Sequence, residues 1–525
     1  MINFLSFSDS AKFADIARNL VNNLGYVSNF TFWNNSLLEN FKNVFSQSWT
    51  PPLMPLSIAV FFKLFGVNDF AVITTSFFYF VLTLVFIFLL AKKIFNSNLI
   101  GVLSTLVVGF NYDLIKYATG GASESAFIFE IVAASYFISI KRKWGTIMSI
   151  VLMVLMYFTR PQGFIFITSL ILYWILLNFK PRKAIIIFLG VLVSGFLIDY
   201  FILPHFSGRY FLYSVTERGI GAATQIVSGG SASDSLRGEI LASSGIMTVA
   251  KKIFYNLYNF YKLLPQIMSP YLFTLFVVGL FMKTKDKIES NFKIATVFMI
   301  IFTFSVVAAS IPFFRYLHPV VPFIYILAVG AIVEIVKLQI TNNRWFTNHK
   351  LQISRQIFTV IISCCLVSIF GIGQTFGVLV LDSRFERKIH NIGKPPIYVQ
   401  LSYILRDNTK SDDVIVTNLD TWGTWYGERT TVWFPIEPKQ LINSVTGEIP
   451  FDSIYLTSYK IDDENYYMGE SWRLIFNNPD SPEKWICEGC RVIAQNFELQ
   501  EIYQVSAVDS FEKQEAKAIL LIKND

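Results

Sequence analysis

Before Leu381 the apolar residues fall in long blocks, and polar residues are confined to short breaks between them. A block of about 20 mostly apolar residues is long enough to cross a hydrocarbon layer as a helix. Such blocks occupy residues 70–91, 98–117, 122–140, 144–159, 162–178, 184–203, 268–283, 291–311, 317–336 and 356–380. Inside a bilayer the backbone must satisfy its own polar groups, so the pattern predicts helices. A shorter run, 53–66, opens among Pro51, Pro52 and Pro55 and reads as a re-entrant or surface helix. Beyond Leu381 the long blocks stop. Strand-like stretches follow at 414–418, 430–434, 453–457, 501–505 and 518–522, with helical patterns at 396–406 and 466–476. The expected fold is an α-helical polytopic membrane protein of about ten helices, over 70–381, with a small α/β soluble domain at 382–525.

Two other segments break the block pattern. Over 10–24, Phe13, Ile16, Ala17, Leu20, Val21 and Leu24 share one helical face, opposite Lys12, Asp15, Arg18, Asn19 and Asn22. This amphipathic helix is expected to rest in the headgroup layer, since the sequence offers no soluble core nearby. The loop 204–267 has a centre rich in Gly, Ser and Ala, which reads either as a plain linker or as a loop ordered by substrate.

Composition supports the membrane assignment. Apolar residues make up 53% of the chain and charged ones 15%, against about 25% charged in a soluble domain. The net charge of +7 does not signal nucleic acid, because the basic residues cluster in alternate breaks between blocks. Lys92–Lys93, Lys141–Lys143, Lys180–Lys183, Lys283–Lys287 and Lys337–Arg355 mark those breaks as cytoplasmic. The remaining breaks carry isolated arginines: Arg160, Arg209, Arg218, Arg237 and Arg315. Residues 1–69 and 382–525 are then both expected on the outer side, with an upstream helix to carry the first across. Cys364 and Cys365 lie in an apolar block and are expected to be buried. Cys487 and Cys490 lack a second pair for zinc and suit a short disulfide outside the cell.

The candidate chemistry lies on the outer side. Asp9 is either an N-cap of the amphipathic helix or a general base held at the membrane surface. Glu124 opens the block 122–140, where the helix dipole alone favours a carboxylate. Glu130, deeper in that block, is an intramembrane acid that needs a partner. Arg160, Arg209 and Arg315, the last beside Tyr316 and His318, suit a phosphate, whose oxygens a guanidinium binds in pairs. The bland reading of each arginine is snorkelling to lipid headgroups. The tail has no glycine-rich nucleotide loop.

Several stretches together resemble a known superfamily. The run from Asp9 through Gly25, WTPPLMPLSIAVFFKLFG, NYDLIKYATGGASESAF ending in the stretch around Glu124, RYLHPVVPFIYILAVG and the tail's TWYGERTTVWFP are similar to GT-C-fold membrane glycosyltransferases. The likeness is to the protein O-mannosyltransferase (family 39) and lipid A aminoarabinose transferase group, in which many members carry Asp-Glu where this chain has Asp9-Ser10. It implies a GT-C-like bundle and a polyprenyl-phosphate-linked sugar as donor. The acceptor would be a protein, lipid or polysaccharide. It implies Asp9 and Glu124 as catalytic residues and sets Arg315, with Tyr316 and His318, near the donor phosphate, where Arg209 or Arg160 is expected to help from its outer position. A divalent metal ion, if used, would fall to Asp9 and Glu124. The competing readings are a transporter or lipid flippase, and a catalytically dead relative that binds polysaccharide or partners. Transporters often carry internal repeats, and this sequence shows none.

Overall fold

The computed structural model describes residues 4–33, 37, 45–46, 50–202, 246–284, 286–310, 312–342, 352–373, 395–435, 437–443, 449–459, 461, 468–509 and 512–524. Arg209, Arg218, Arg237 and the Gly/Ser-rich centre of 204–267 lie outside the described residues, as do 374–380 of the last expected block.

The chain opens with α1 (Ser8–Val21) and three short strands, β1 (Val27–Ser28), β2 (Phe30–Phe32) and β3 (Phe45–Ser46). Next comes α2 (Leu53–Phe65), which starts after a Pro52 cap and stops at Gly66, where φ of +80° suits a residue without Cβ. The apolar blocks then form α3 (Asp69–Phe95), α4 (Asn98–Gly109), α5 (Tyr112–Thr119), α6 (Glu124–Ser139), α7 (Lys143–Thr159), α8 (Gly163–Asn178) and α9 (Pro181–Leu197). The expected loop 204–267 is in part helical, holding α10 (Ile246–Lys262); α11 (Pro270–Phe281), α12 (Lys287–Ala309), α13 (Val321–Asn342) and α14 (Gln352–Val367) follow. In their described residues all ten expected blocks are helical. Five helices among the described residues are long and apolar enough to cross a membrane, and six if α4 and α5 form one span. The block 98–117 is not straight: it bends by 64°, and the Asn111 side chain caps the new helix by accepting from the Leu114 N–H at 3.1 Å.

The helix of residues 314–341 is the centre of the bundle, with 89% of its most apolar window buried, while that of 355–372 is peripheral at 11%. The peripheral place corrects one expectation. Cys364 is half-buried and Cys365 is exposed, because an apolar residue in a membrane protein has hydrocarbon as well as core to face.

The C-terminal domain contributes α15 (Ile397–Asp407), β4 (Val414–Thr417), α16 (Thr421–Trp425), β5 (Thr430–Trp433), β6 (Ser453–Thr457), α17 (Glu470–Asn477), α18 (Cys490–Asn496), β7 (Phe497–Asp509) and β8 (Glu512–Lys523). Its sheet runs β2-β5-β4-β6-β8-β7, parallel up to β6 and antiparallel beyond. The inner strands are buried throughout, which is why they read as unbroken β-branched and apolar runs. The edge strand β2 comes from the N-terminal segment, with Phe30 opposite Thr431. The N-terminal segment and the C-terminal domain therefore share one sheet. Cys487 and Cys490 are joined as a disulfide.

This shared domain also corrects the expectation for α1. The helix does not rest in headgroups; it packs between α2 and α16. Lys12, Asp15 and Asn19, expected in water, are buried. Asp15 is satisfied by Arg18 at 2.6 Å, the Ser28 hydroxyl at 2.6 Å and the Asn29 N–H at 2.8 Å. On the other face Phe13 is buried with Met54, Phe62, Tyr398 and Trp422, each worth about 1.5–3 kcal/mol of removed apolar surface. At the start of α3 the Asp69 carboxylate accepts from Trp425 and Tyr426, each at 2.7 Å, which ties the domain to the bundle.

Candidate functional site

The site lies where α1, the α5–α6 turn, the end of α7 and the approach to α13 meet. Asp9 occupies the first turn of α1. It does not cap it: Phe7 is the cap residue and no side chain fills that role. The Asp9 carboxylate instead accepts from Arg315 at 2.9 Å. Glu124 opens α6 and pairs with Arg160 at 2.7 Å, with Arg315 Nε at 3.9 Å from the same oxygen. Arg160 also donates to the Ser123 hydroxyl at 3.0 Å. Tyr316 lies beneath both guanidiniums, 5.4 Å from that of Arg315 and 5.6 Å from that of Arg160. Thus Asp9, Glu124, Arg160, Arg315 and Tyr316, five of the seven residues expected at the site, come together from distant segments; His318 lies on the next 3₁₀ turn, and Arg209 is outside the described residues.

Local sequence explains the convergence. Gly120 and Gly121 form the turn before α6. A Cβ on Gly120 would lie 2.5 Å from the Phe7 ring, and Gly121 has φ of +78° with Leu5, Ser10 and Val72 close by. The glycines let α1 approach the start of α6, so Asp9 and Glu124 share one site. Arg160 sits in extended backbone just after α7, before Pro161. Arg315 sits on a 3₁₀ turn, and the chain behind it is held by α10: Lys252 donates to the terminal carbonyls of Ala309 and Ser310, and Asn256 to that of Ala308.

Electrostatics set the state of Asp9. Burial alone would raise the Asp9 carboxyl, but Arg315, Arg160 and Lys12 outweigh it and hold its pKa below the ordinary 3.8. His318 is buried, linked to the Tyr117 hydroxyl at 2.7 Å and 3.4 Å from Asp113. Beside these groups Ser10 Oγ and Ser125 Oγ are buried without a hydrogen-bond partner. The residues do not suit a divalent ion. Among the described residues no group of three or more His, Cys, Asp or Glu gathers, and both site carboxylates face guanidiniums that would repel a cation. Glu130 stands apart from the site, accepting from Thr159 at 2.7 Å as an interhelical bond.

Comparisons with known proteins bear on the fold. The dolichyl-phosphate-mannose-protein mannosyltransferase family matches residues 50–203. The structure of ArnT from Cupriavidus metallidurans bound to undecaprenyl phosphate is similar at a TM-score of 0.52 and 11% identity, covering 99% of this chain and 94% of that one. The chain has the GT-C fold. A second GT-C neighbour is the archaeal oligosaccharyltransferase AglB from Archaeoglobus fulgidus, in complex with an inhibitory peptide and a dolichol-phosphate. It scores 0.52 at 11% identity, covering 98% of this chain and 70% of that one. A sequence comparison with curated proteins finds no match.

Sequence reasoning missed Asp113 and Tyr117, which flank His318 in this GT-C bundle. A signal was present: Asn111 followed by Asp113 is a helix-start pattern inside an apolar block, and a break there exposes polar groups to a site.

Proposed function

We propose that the chain is a glycosyltransferase that takes its sugar from a polyprenyl phosphate at the outer face of the membrane. The observation that carries the reading is the Asp9–Arg315 pair at 2.9 Å, beside the second pair of Arg160 and Glu124. Both neighbours named above were solved with a polyprenyl-type phosphate, which supports the donor class. The outer orientation rests on the alternation of basic breaks.

In the resting chain Asp9 is a poor base, because a guanidinium holds it ionised. A donor phosphate arriving at Arg315 would draw that guanidinium away. Asp9 then regains basicity as the acceptor hydroxyl or amine approaches. The acceptor heteroatom bonds to the sugar's anomeric carbon as the bond from that carbon to phosphate oxygen breaks. The acceptor proton goes to Asp9, and the lipid phosphate leaves with the bonding pair. Arg315 and Arg160 stabilise the charge that grows on it. Glu124 acts by orienting both guanidiniums. Phosphate is already a good leaving group, so no strong general acid is required.

The test is single-turnover transfer from a radiolabelled polyprenyl-phosphate sugar, with the chain in nanodiscs. Asp9→Asn should lose about 10²-fold or more in rate while keeping donor binding. Parent-like turnover in that variant would remove Asp9 from the chemistry.

A further inference from the structure

One helix is polar where a soluble helix would be apolar. In α10 the residues turned to the bundle include Lys252, Asn256 and Phe260, all buried, while Phe254, Tyr255, Tyr258 and Tyr261 are 57–78% exposed. At about 3.6 residues per turn these four rings fall, with Lys251 and Lys262, within roughly one third of the circumference. Both of those lysines are exposed, and α10 contains no acidic residue. In water the helix would turn the other way, with the rings inward.

The inner face explains itself. Lys252 donates to the carbonyls of Ala309 and Ser310, and Asn256 to that of Ala308 at 2.8 Å, so both serve the last carbonyls of α12. The same bonds fix the depth of α10. α12 is long and apolar enough to span, and α10 lies across its C-terminal end, with Phe260 on Phe304 at 5.7 Å and on Phe314 at 6.1 Å. The end of a span lies at a membrane surface, and the basic breaks assign this one to the outside.

The outer face then has to meet something other than water. The next two helices in the chain also expose apolar side chains, Tyr271 on α11 and Ile301 on α12, as spans that face lipid do. Tyrosine suits the boundary between hydrocarbon and water, because its ring is apolar and its tip polar. Lys251 and Lys262 flank the stripe about 16 Å apart along the axis. Cations without carboxylates match an anionic layer, and their long stems let the ammonium groups reach phosphates while the rings stay in lipid.

We infer that α10 lies in the outer interfacial layer, with its aromatic stripe in lipid and Lys251 and Lys262 on the headgroups of anionic phospholipids. Part of the expected extramembrane loop is thereby a membrane contact. The inference stands on the membrane reading of the chain and does not use the transferase chemistry.

The experiment uses the full chain in nanodiscs, carrying Cys364→Ser and Cys365→Ser and a nitroxide on Tyr258→Cys. Relaxation of the spin by oxygen, which gathers in lipid, is compared with relaxation by a water-soluble nickel chelate. Oxygen should dominate at 258, and the same label on Glu428→Cys, an exposed position of the C-terminal domain, should favour nickel. A fluorophore in place of the nitroxide at 258 then reports which lipid is near. Spin-labelled phosphatidylglycerol should quench it at least about 2-fold more than spin-labelled phosphatidylcholine, as two lysines at a headgroup layer require. The Lys251→Gln, Lys262→Gln variant should lose that difference, and since both side chains are exposed it should fold. Nickel access at 258 would put the stripe in water. Access to neither reagent would put another part of the chain, or a second copy, over it. Either result overturns the inference, and so does equal quenching by the two lipids in the parent. Transfer activity enters neither readout, so the lipid contact and the chemistry fail separately.

Discussion

Two guanidinium–carboxylate pairs meet in one site and differ in what surrounds them. Arg160–Glu124 spans 2.7 Å with side chains 10% and 3% exposed, whereas Arg315–Asp9 spans 2.9 Å with side chains 29% and 46% exposed. The chemistry is the same and the consequences are opposite. A buried pair cannot open without leaving a charge in a poor solvent, so it behaves as framework. A half-exposed pair contributes little to stability and separates at small cost. The loose pair is therefore the one suited to exchange partners when a ligand arrives, and the tight one keeps the loose one in place.

The sharpest way to break the comparison is Glu124→Gln. It leaves Arg160 buried without a counter-charge and should cost about 3–5 kcal/mol of stability. Asp9→Asn should cost within about 1 kcal/mol. Thermal melting of both variants in detergent gives the contrast, and equal shifts would abolish the distinction. Next in size is donor binding. Arg315→Ala should weaken binding of a polyprenyl phosphate about 10-fold or more, and Arg315→Lys less, since charge survives and the two-pronged geometry does not. Arg315→Ala that binds donor as the parent does would return the residue to snorkelling. The smallest effect is on pH. Asp9 has its folded pKa depressed below 3.8, so its contribution is complete above that value and disappears as pH falls through the lower folded one. Melting of the parent and of Asp9→Asn should thus differ by a constant offset between pH 5 and 8. A gap that changes across that range would mean that Asp9 is not held ionised.

Much of this site was legible in the sequence. Asp9, Arg160, Arg315 and Tyr316 stood outside the apolar blocks, and Glu124 and His318 at the starts of two of them, all assigned to one side of the membrane; one-sidedness brings distant residues together. The partner of each was not legible. Nothing in spacing says that Arg160 takes Glu124 while Arg315 takes Asp9, because that depends on Gly120 and Gly121 admitting α1. The misreading of α1 has a related cause. Periodicity shows that two faces differ, but not what each meets, and Asp15 found Ser28 and Asn29 rather than water. Strand β2 was invisible for another reason. Three residues, Phe30–Phe32, are too few for alternation to register, and the strand they join lies far along the chain.

That pairing has a consequence for biosynthesis. Asn29 and Thr430, joined beside the β2–β5 ladder, are 401 residues apart in the chain. At translation speeds of about 5–20 residues per second, the N-terminal segment waits roughly 20–80 s for its partner strand to be made. During that interval Phe30 and Phe32 lack Trp433, and Phe13 lacks Tyr398 and Trp422. Until those residues are made, the exposed rings are open to wrong partners.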